Sequence, residues 1–323
     1  MNLTEMRPIS IDDAMARPVL EVALYLKLSV DKFIMIAKAG KQTPAEHLAK
    51  FKSKNVLYLW VRAEDFAKLA PMSVTVGGLV VGPAQIADSN KLAALSAAMA
   101  AVFRRAEEAG FNGAAFGHAG SVVEATMTLA ASQPTFGSLI EKISELNPDE
   151  TRHAMTVSLV ATMIGSGHEW VKAATLEKLA LGGMLHDMGK LTLPKDLLDK
   201  PEAAMNRDET TIYRSHPELG RQMLMQVRSV PDDIALIVLE HQELANGSGY
   251  PRGLKDAQIS PLARVVSLAN VFAEMLDVSD GRPTADRATR IMVEIESTKI
   301  GLFNRDAVRA LKRMVGNEAR KAS

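Results

Sequence analysis

The spacing of apolar positions changes along this chain, and the change divides it. In the first third they fall in short runs. Residues 22–28 and 33–37 read as strands around a turn at 29–31, and 56–61 as a buried strand. Residues 44–54 and 63–69 read as helices between and after them, and the Gly-rich, β-branched run 72–81 as an edge strand or connector. From residue 89 onward the spacing is helical, with candidate helices over 89–109, 121–131 and 136–146. The pattern predicts a mainly α protein: a small α+β module over 1–85, linking helices over 86–145, and a helical domain over 146–315.

The later helices share an unusual feature, a histidine on the apolar face. Asn147-Pro148-Asp149-Glu150 is a helix start, with a capping Asn, Pro at the first position and acids for the helix dipole. On that helix His153, Val157, Val160 and Ile164 fall on one face, and Asp149 sits a turn earlier on the same side. Leu179, Gly183, His186 and Lys190 are predicted to line a second helix. Asp187 looks into the same crevice, and Gly182-Gly183 lets a neighbouring backbone approach. Ile212, His216, Leu219 and Met223 keep the pattern on a third segment, which Pro217 should kink or restart. A fourth helix opens at Pro231-Asp232-Asp233, faces Ile234, Ile237 and His241 inward, and ends at Asn246-Gly247.

A lone histidine on an apolar face is more often a hydrogen-bonded core residue than a ligand. Four on consecutive helices, with an aspartate among them, would be costly to bury unpartnered, and a divalent cation satisfies them together. Imidazoles and a carboxylate converging from separate helices suit a paired metal site and phosphodiester hydrolysis. His47 and His168 read as surface residues, and His118 as a loop residue in Gly117-His118-Ala119.

Composition narrows the rest. The chain has no Cys, so disulfides, Cys-ligated zinc and thiolate chemistry are excluded, and a metal must use His, Asp, Glu or Asn. The 38 basic and 38 acidic residues cancel, which gives no support to binding a nucleic-acid polymer or a membrane surface. The most apolar stretch, 92–103, is too short to span a bilayer and no apolar signal core opens the chain. A cytoplasmic protein is expected.

The run Leu185-His186-Asp187-Met188-Gly189-Lys190-Leu191, then Leu193-Pro194, Ser215-His216-Pro217-Glu218-Leu219-Gly220, His241-Gln242-Glu243 and Asn246-Gly247-Ser248-Gly249-Tyr250-Pro251 closely resembles the HD-GYP domain. This branch of the HD phosphohydrolase superfamily is associated with cyclic di-GMP. The resemblance covers roughly residues 140–315, and its motifs occur in order at suitable spacings. It implies an all-α bundle, a dinuclear or trinuclear metal centre (often iron or manganese), and hydrolysis of cyclic di-GMP to pGpG or GMP; for this chain one or two divalent transition metals are expected.

Carried onto this chain, the resemblance implies metal binding by His153, His186, Asp187, His216 and His241, with Asp187 bridging two metals. It also implies an acidic ligand at Asp149 and a substrate-phosphate contact by Lys190. The loop Gly249-Tyr250-Pro251 flanks the site and, with the N-terminal module, offers a place for a protein partner. There are departures. Gln242 stands where most members have a second histidine, and Asn270 where a later helix supplies an aspartate. An Asn carbonyl can coordinate a cation but brings no charge. Arg282-Pro283-Thr284 is shifted from the family's Arg-Pro substrate motif. The expected activity is therefore a cyclic di-GMP phosphodiesterase impaired by two replaced ligands. The alternative is a degenerate domain that binds the dinucleotide or a protein partner without turnover.

Overall fold

In the computed structural model, the described residues are 6–15, 19–29, 32–42, 44–52, 56, 58–62, 65, 88–133, 135–144, 146, 150–277 and 287–319. The chain separates into two compact units, Met1–Ile86 and Ala87–Ser323. Among the described residues no helix is long and apolar enough to cross a membrane.

The first unit is built on an antiparallel sheet of four strands in the order β1-β6-β3-β4: β1 (Met6–Ser10), β3 (Leu24–Ser29), β4 (Lys32–Ala37) and β6 (Tyr58–Arg62). A two-stranded ribbon joins β2 (Val19–Leu20) to β5 (Lys41–Gln42). Alternation decides which face is covered. Leu59 and Val61 of β6 are fully buried while Trp60 between them is only half so. They pack with Leu24, Ile11 of α1 (Ile11–Met15) and Leu48 of α2 (Ala45–Lys52). The helix expected over 63–69 falls outside the described residues save Asp65, and the run 72–81 lies outside them entirely.

The second unit is helical. It opens with α3 (Asp88–Ala109), α4 (Gly113–Ala131) and α5 (Phe136–Ser144). Helix α4 starts eight residues earlier than its apolar pattern suggests, because Asn112 caps it: the Asn112 side chain accepts from the Ala114 and Ala115 amides at 3.0 and 3.1 Å. His118 is consequently a buried helical residue, not a loop residue. His168 also departs from the surface reading. It is half-buried against Trp170, with Nε2 enclosed.

The core of this unit lies between α6 (Glu150–Ser166), α7 (Ala173–Leu185) and α12 (Pro261–Asp277). The last takes its number after α8 (Lys195–Leu198), α9 (Arg207–Tyr213), α10 (His216–Met225) and α11 (Asp232–Glu240). Val157, Val160 and Ile164 of α6 are fully buried, as their face predicts, against Leu179, Ile237, Val266 and Phe272. Gly183 permits the close approach of α7 to α6, since a Cβ there would lie 2.8 Å from the Ser158 Cα. The Ser158 hydroxyl donates to the Ala180 carbonyl across the same seam at 2.8 Å. Helices α13 (Arg287–Glu294) and α14 (Arg305–Ala319) complete the unit.

Candidate metal centre

His186, His216 and His241 each sit at a break in regular structure. Helix α7 stops at Leu185, so the single helix expected to carry both His186 and Lys190 is not formed. His186 ends it, Asp187 takes φ −97° and ψ 10°, and Lys190 lies on a 3₁₀ turn, Met188–Thr192. That bridge-region backbone at Asp187 is common among active-site residues. Pro217 restarts the chain as foreseen. It falls in the first turn of α10, where a missing N–H costs nothing, and His216 opens the helix. His241 closes α11.

The imidazoles are aimed by one repeated device. The Nδ1 atoms of His186, His216 and His241 lie 2.7, 2.8 and 2.8 Å from the carbonyls of Gly183, Tyr213 and Val238, each three residues earlier. A carbonyl only accepts, so each Nδ1 donates and each Nε2 is turned inward. His153 on α6 is oriented likewise by Asp277, whose Oδ2 is 3.1 Å from Nδ1.

The inward atoms converge on Asp187. Its Oδ2 is 3.2 Å from His186 Nε2, and its Oδ1 is 3.3 and 3.5 Å from Nε2 of His216 and His241. His216 and His241 approach each other at 3.2 Å, Nε2 to Nε2. Ring nitrogens and carboxylate oxygens thus face one another, and of the atoms around them Lys190 Nζ donates to Asp187 Oδ2. His186 Nε2 and Asp187 Oδ1 have no hydrogen-bond partner at all. Such atoms are costly to bury, and a divalent cation is what this donor set fits. Two groups can hold one, His153-His186-Asp187 and Asp187-His216-His241, with ligand atoms in each within 4.8 Å of one another. Asp187 belongs to both and offers a different oxygen to each side.

The donors differ in their electrostatics. Burial pushes His241 down to about 3, which keeps it neutral and able to coordinate. Burial alone would raise the Asp187 carboxyl, but His186 and Lys190 beside it hold it well below the usual range. Burial lowers His153 too, yet the Asp277 and Asp187 carboxylates outweigh it and the net shift is upward.

Of the other expected site residues, Lys190 Nζ lies 2.7 Å from Asp187 Oδ2 and 5.4 Å from the centre of the Tyr213 ring. Asn270 Oδ1 is 2.9 Å from His153 Nε2. Gln242 meets the Gly249-Tyr250-Pro251 loop through its backbone, its carbonyl accepting from the Tyr250 amide at 3.1 Å. Tyr250 stands edge-on to His216 and carries the Arg214 guanidinium over its ring. Asp149 and Arg282 lie outside the described residues. Two buried carboxylates pin the loop. Glu243 accepts from the Arg252 and Leu254 amides at 2.7 Å each, and Glu240 accepts from the Ser260 amide and pairs with the Arg252 guanidinium.

A cavity of about 530 Å³ opens beside the cluster, lined by His153, Asp187 and Lys190 and also by Phe103, Arg152, Tyr213, Glu274 and Asp277. Sequence reasoning missed these last five. Asp277 had a signal, since it lies seven residues after Asn270 on the same helix face, and Tyr213 lies one turn before His216.

The sequence profile of the HD domain family matches residues 137–301, just over half of the chain. The chain belongs to the HD domain family. Within it, the HD-GYP likeness read from the motifs holds. A cyclic di-GMP phosphodiesterase of Pseudomonas aeruginosa is 30% identical over 205 residues, covering 62% of this chain and 47% of that one. The cyclic di-GMP phosphodiesterase response regulator RpfG of Xanthomonas campestris is 35% identical over 126 residues, covering 39% and 32%. The chain therefore spans about half, or less, of the length of these relatives. A solved structure of an HDG"Y"P protein from Bdellovibrio bacteriovorus shares the fold, with a TM-score of 0.57 and 18% identity over 97% of this chain and all of that one. An HD domain with this His/Asp cluster binds divalent metal.

Proposed function

We propose that this chain is a cytoplasmic, metal-dependent phosphodiesterase that hydrolyses cyclic di-GMP to pGpG or GMP. The observation that carries the reading is the division of Asp187, one carboxylate oxygen toward His186 and the other toward His216 and His241. Divalent cations at such a centre supply Lewis-acid activation of water and of the phosphoryl group, and iron or manganese suits the imidazole and carboxylate donors. The protein's own part is preorganisation. Nδ1 anchors hold four imidazoles in place before substrate arrives, and Lys190, on the cavity wall, neutralises charge developing on phosphoryl oxygens. Tyr213 braces the Lys190 ammonium through its ring. The relatives named as cyclic di-GMP phosphodiesterases support the substrate. The same names weigh against the alternative of a domain that binds the dinucleotide without turning it over.

The Gly249-Tyr250-Pro251 loop, with Arg252 and Gly253 exposed beside it, or the regulatory module of residues 1–85, is where a protein partner would bind in this reading. The test is metal content after anaerobic purification without chelator, together with hydrolysis of cyclic di-GMP. The wild type should hold at least one equivalent of a transition metal and consume the dinucleotide, and Asp187→Asn should abolish both. Less than about a tenth of an equivalent of metal would sink the reading, since these donors fold into place already aimed.

A further inference from the structure

Asn270 occupies the place in the metal centre where a carboxylate would normally contribute charge, and its side chain is not idle. It is 2% exposed, and its Oδ1 faces His153 Nε2 at 2.9 Å. Its Nδ2 donates to Glu274 Oε1 at 2.9 Å, one turn further along α12. An amide has one donor end and one acceptor end, so fixing the donor on Glu274 fixes the carbonyl oxygen toward His153 and the cluster. Glu274 lines the same cavity as His153 and Asp187. Beside this amide, the fully buried His186 Nε2 has no hydrogen-bond partner, so the subsite into which Asn270 points is one that asks for a cation.

We infer that Glu274 is a positioning residue for the His153-His186-Asp187 subsite. It turns the Asn270 carbonyl into an oriented oxygen ligand and supplies, one hydrogen bond away, the negative charge that Asn270 lacks. The carboxylate has in effect moved back one helical turn and acts through the amide. This rests on the metal-centre reading above and adds a residue to it. It also bears on the Asn270 departure. A substitution that looks like the loss of a ligand is matched by a gain nearby, and the two belong to one unit.

The experiment titrates Mn²⁺ into metal-free full-length protein by calorimetry and records the d–d absorption of Co²⁺-loaded protein. It compares wild type with E274Q, N270D and N270D/E274Q, with thermal melts of the metal-free forms as a folding control. E274Q should weaken Mn²⁺ binding about 10–100-fold, the range for partners that orient a ligand, and change the Co²⁺ spectrum without changing the metal-free melt. N270D alone sets two carboxylates a hydrogen-bond length apart, and their repulsion should hold its gain below that of the double variant. N270D/E274Q should bind Mn²⁺ at least as tightly as wild type, a non-additivity that independent sites would not give. Wild-type affinity in E274Q, or a double variant no better than E274Q, overturns the role of Glu274 while leaving the metal centre standing. Failure of the wild type to bind either ion overturns both.

Discussion

Gly189, in the middle of the His186–Lys190 motif, is the position where one methyl group should do the most damage. A Cβ there would lie 1.9 Å from the His216 carbonyl oxygen, 2.6 Å from the Gly220 nitrogen and 2.8 Å from the His216 carbonyl carbon. All three are backbone atoms, so no side chain can swing aside. Relieving the worst contact to about 3.4 Å requires a displacement of about 1.5 Å between the 3₁₀ turn and the start of α10. His216 is the first residue of that helix, and its Nε2 stands 3.3 Å from Asp187 Oδ1 and 3.2 Å from His241. Metal–ligand distances tolerate only about 0.2 Å, so the Asp187-His216-His241 subsite should be lost while His153 and His186 keep theirs. Overpacking of this kind costs about 1–3 kcal/mol, and a rigid neighbour puts Gly189→Ala at the upper end, a melting-point fall of roughly 6–12 °C. The assay is metal stoichiometry alongside a thermal melt, with Gly117→Ala as control, since a Cβ on that helical glycine meets nothing within 4 Å. Unchanged metal stoichiometry and melting temperature in Gly189→Ala would refute the claim that this backbone contact sets the position of His216.

Three further outcomes follow from contacts described above. Asp277→Asn weakens the orientation of His153 and should lower Mn²⁺ affinity about 10–100-fold; an unchanged titration curve would remove Asp277 from the site. Glu243→Ala strands the amides of Arg252 and Leu254, and at about 1–3 kcal/mol for each group left unsatisfied it should lower the urea midpoint clearly; an unchanged midpoint would show that the loop is held by other means. Asp88 is held down to about 2 from 3.8 by its hydrogen bond from Lys142 and a second from Gln133. A depressed carboxyl stabilises above its unfolded value and loses that contribution as pH falls from 3.8 toward 2. Asp88→Asn should therefore cost no more than about 1 kcal/mol at neutral pH, as for other partly exposed pairs, and flatten the acid limb of the stability profile; an identical acid limb would contradict the pairing.

The helices of the second unit were legible because their buried faces repeat. His153, Val157, Val160 and Ile164 share one side of α6 as their spacing implies, and Pro217 marks the restart at α10. Gly183 was legible for the same reason, a small residue where two helices meet. What escaped depended on local chemistry or on distance. Helix α4 was cut short because its Ala- and Gly-rich opening reads as a loop unless Asn112 is recognised as a cap. Strand β1 escaped because Pro8 interrupts it, which an edge strand tolerates, and β1 is the edge of its sheet. Asp277 and Glu274 escaped because their importance lies in meeting His153 and Asn270. The first of those pairs is 124 residues apart in the chain, and no periodicity reports such a meeting.

The anchoring of each imidazole through Nδ1 bears on the order of events in the life of the molecule. In a zinc finger the metal gathers an unstructured chain, so removing it dissolves the fold. Here the orienting partners of His186, His216 and His241 are carbonyls of the chain itself, and that of His153 is a carboxylate on a packed helix. With its orienting contacts internal, the fold should set these imidazoles before an ion arrives. A chain made under metal starvation would accordingly wait in finished form, and the ion it eventually carries would record what its surroundings supplied rather than how it folded.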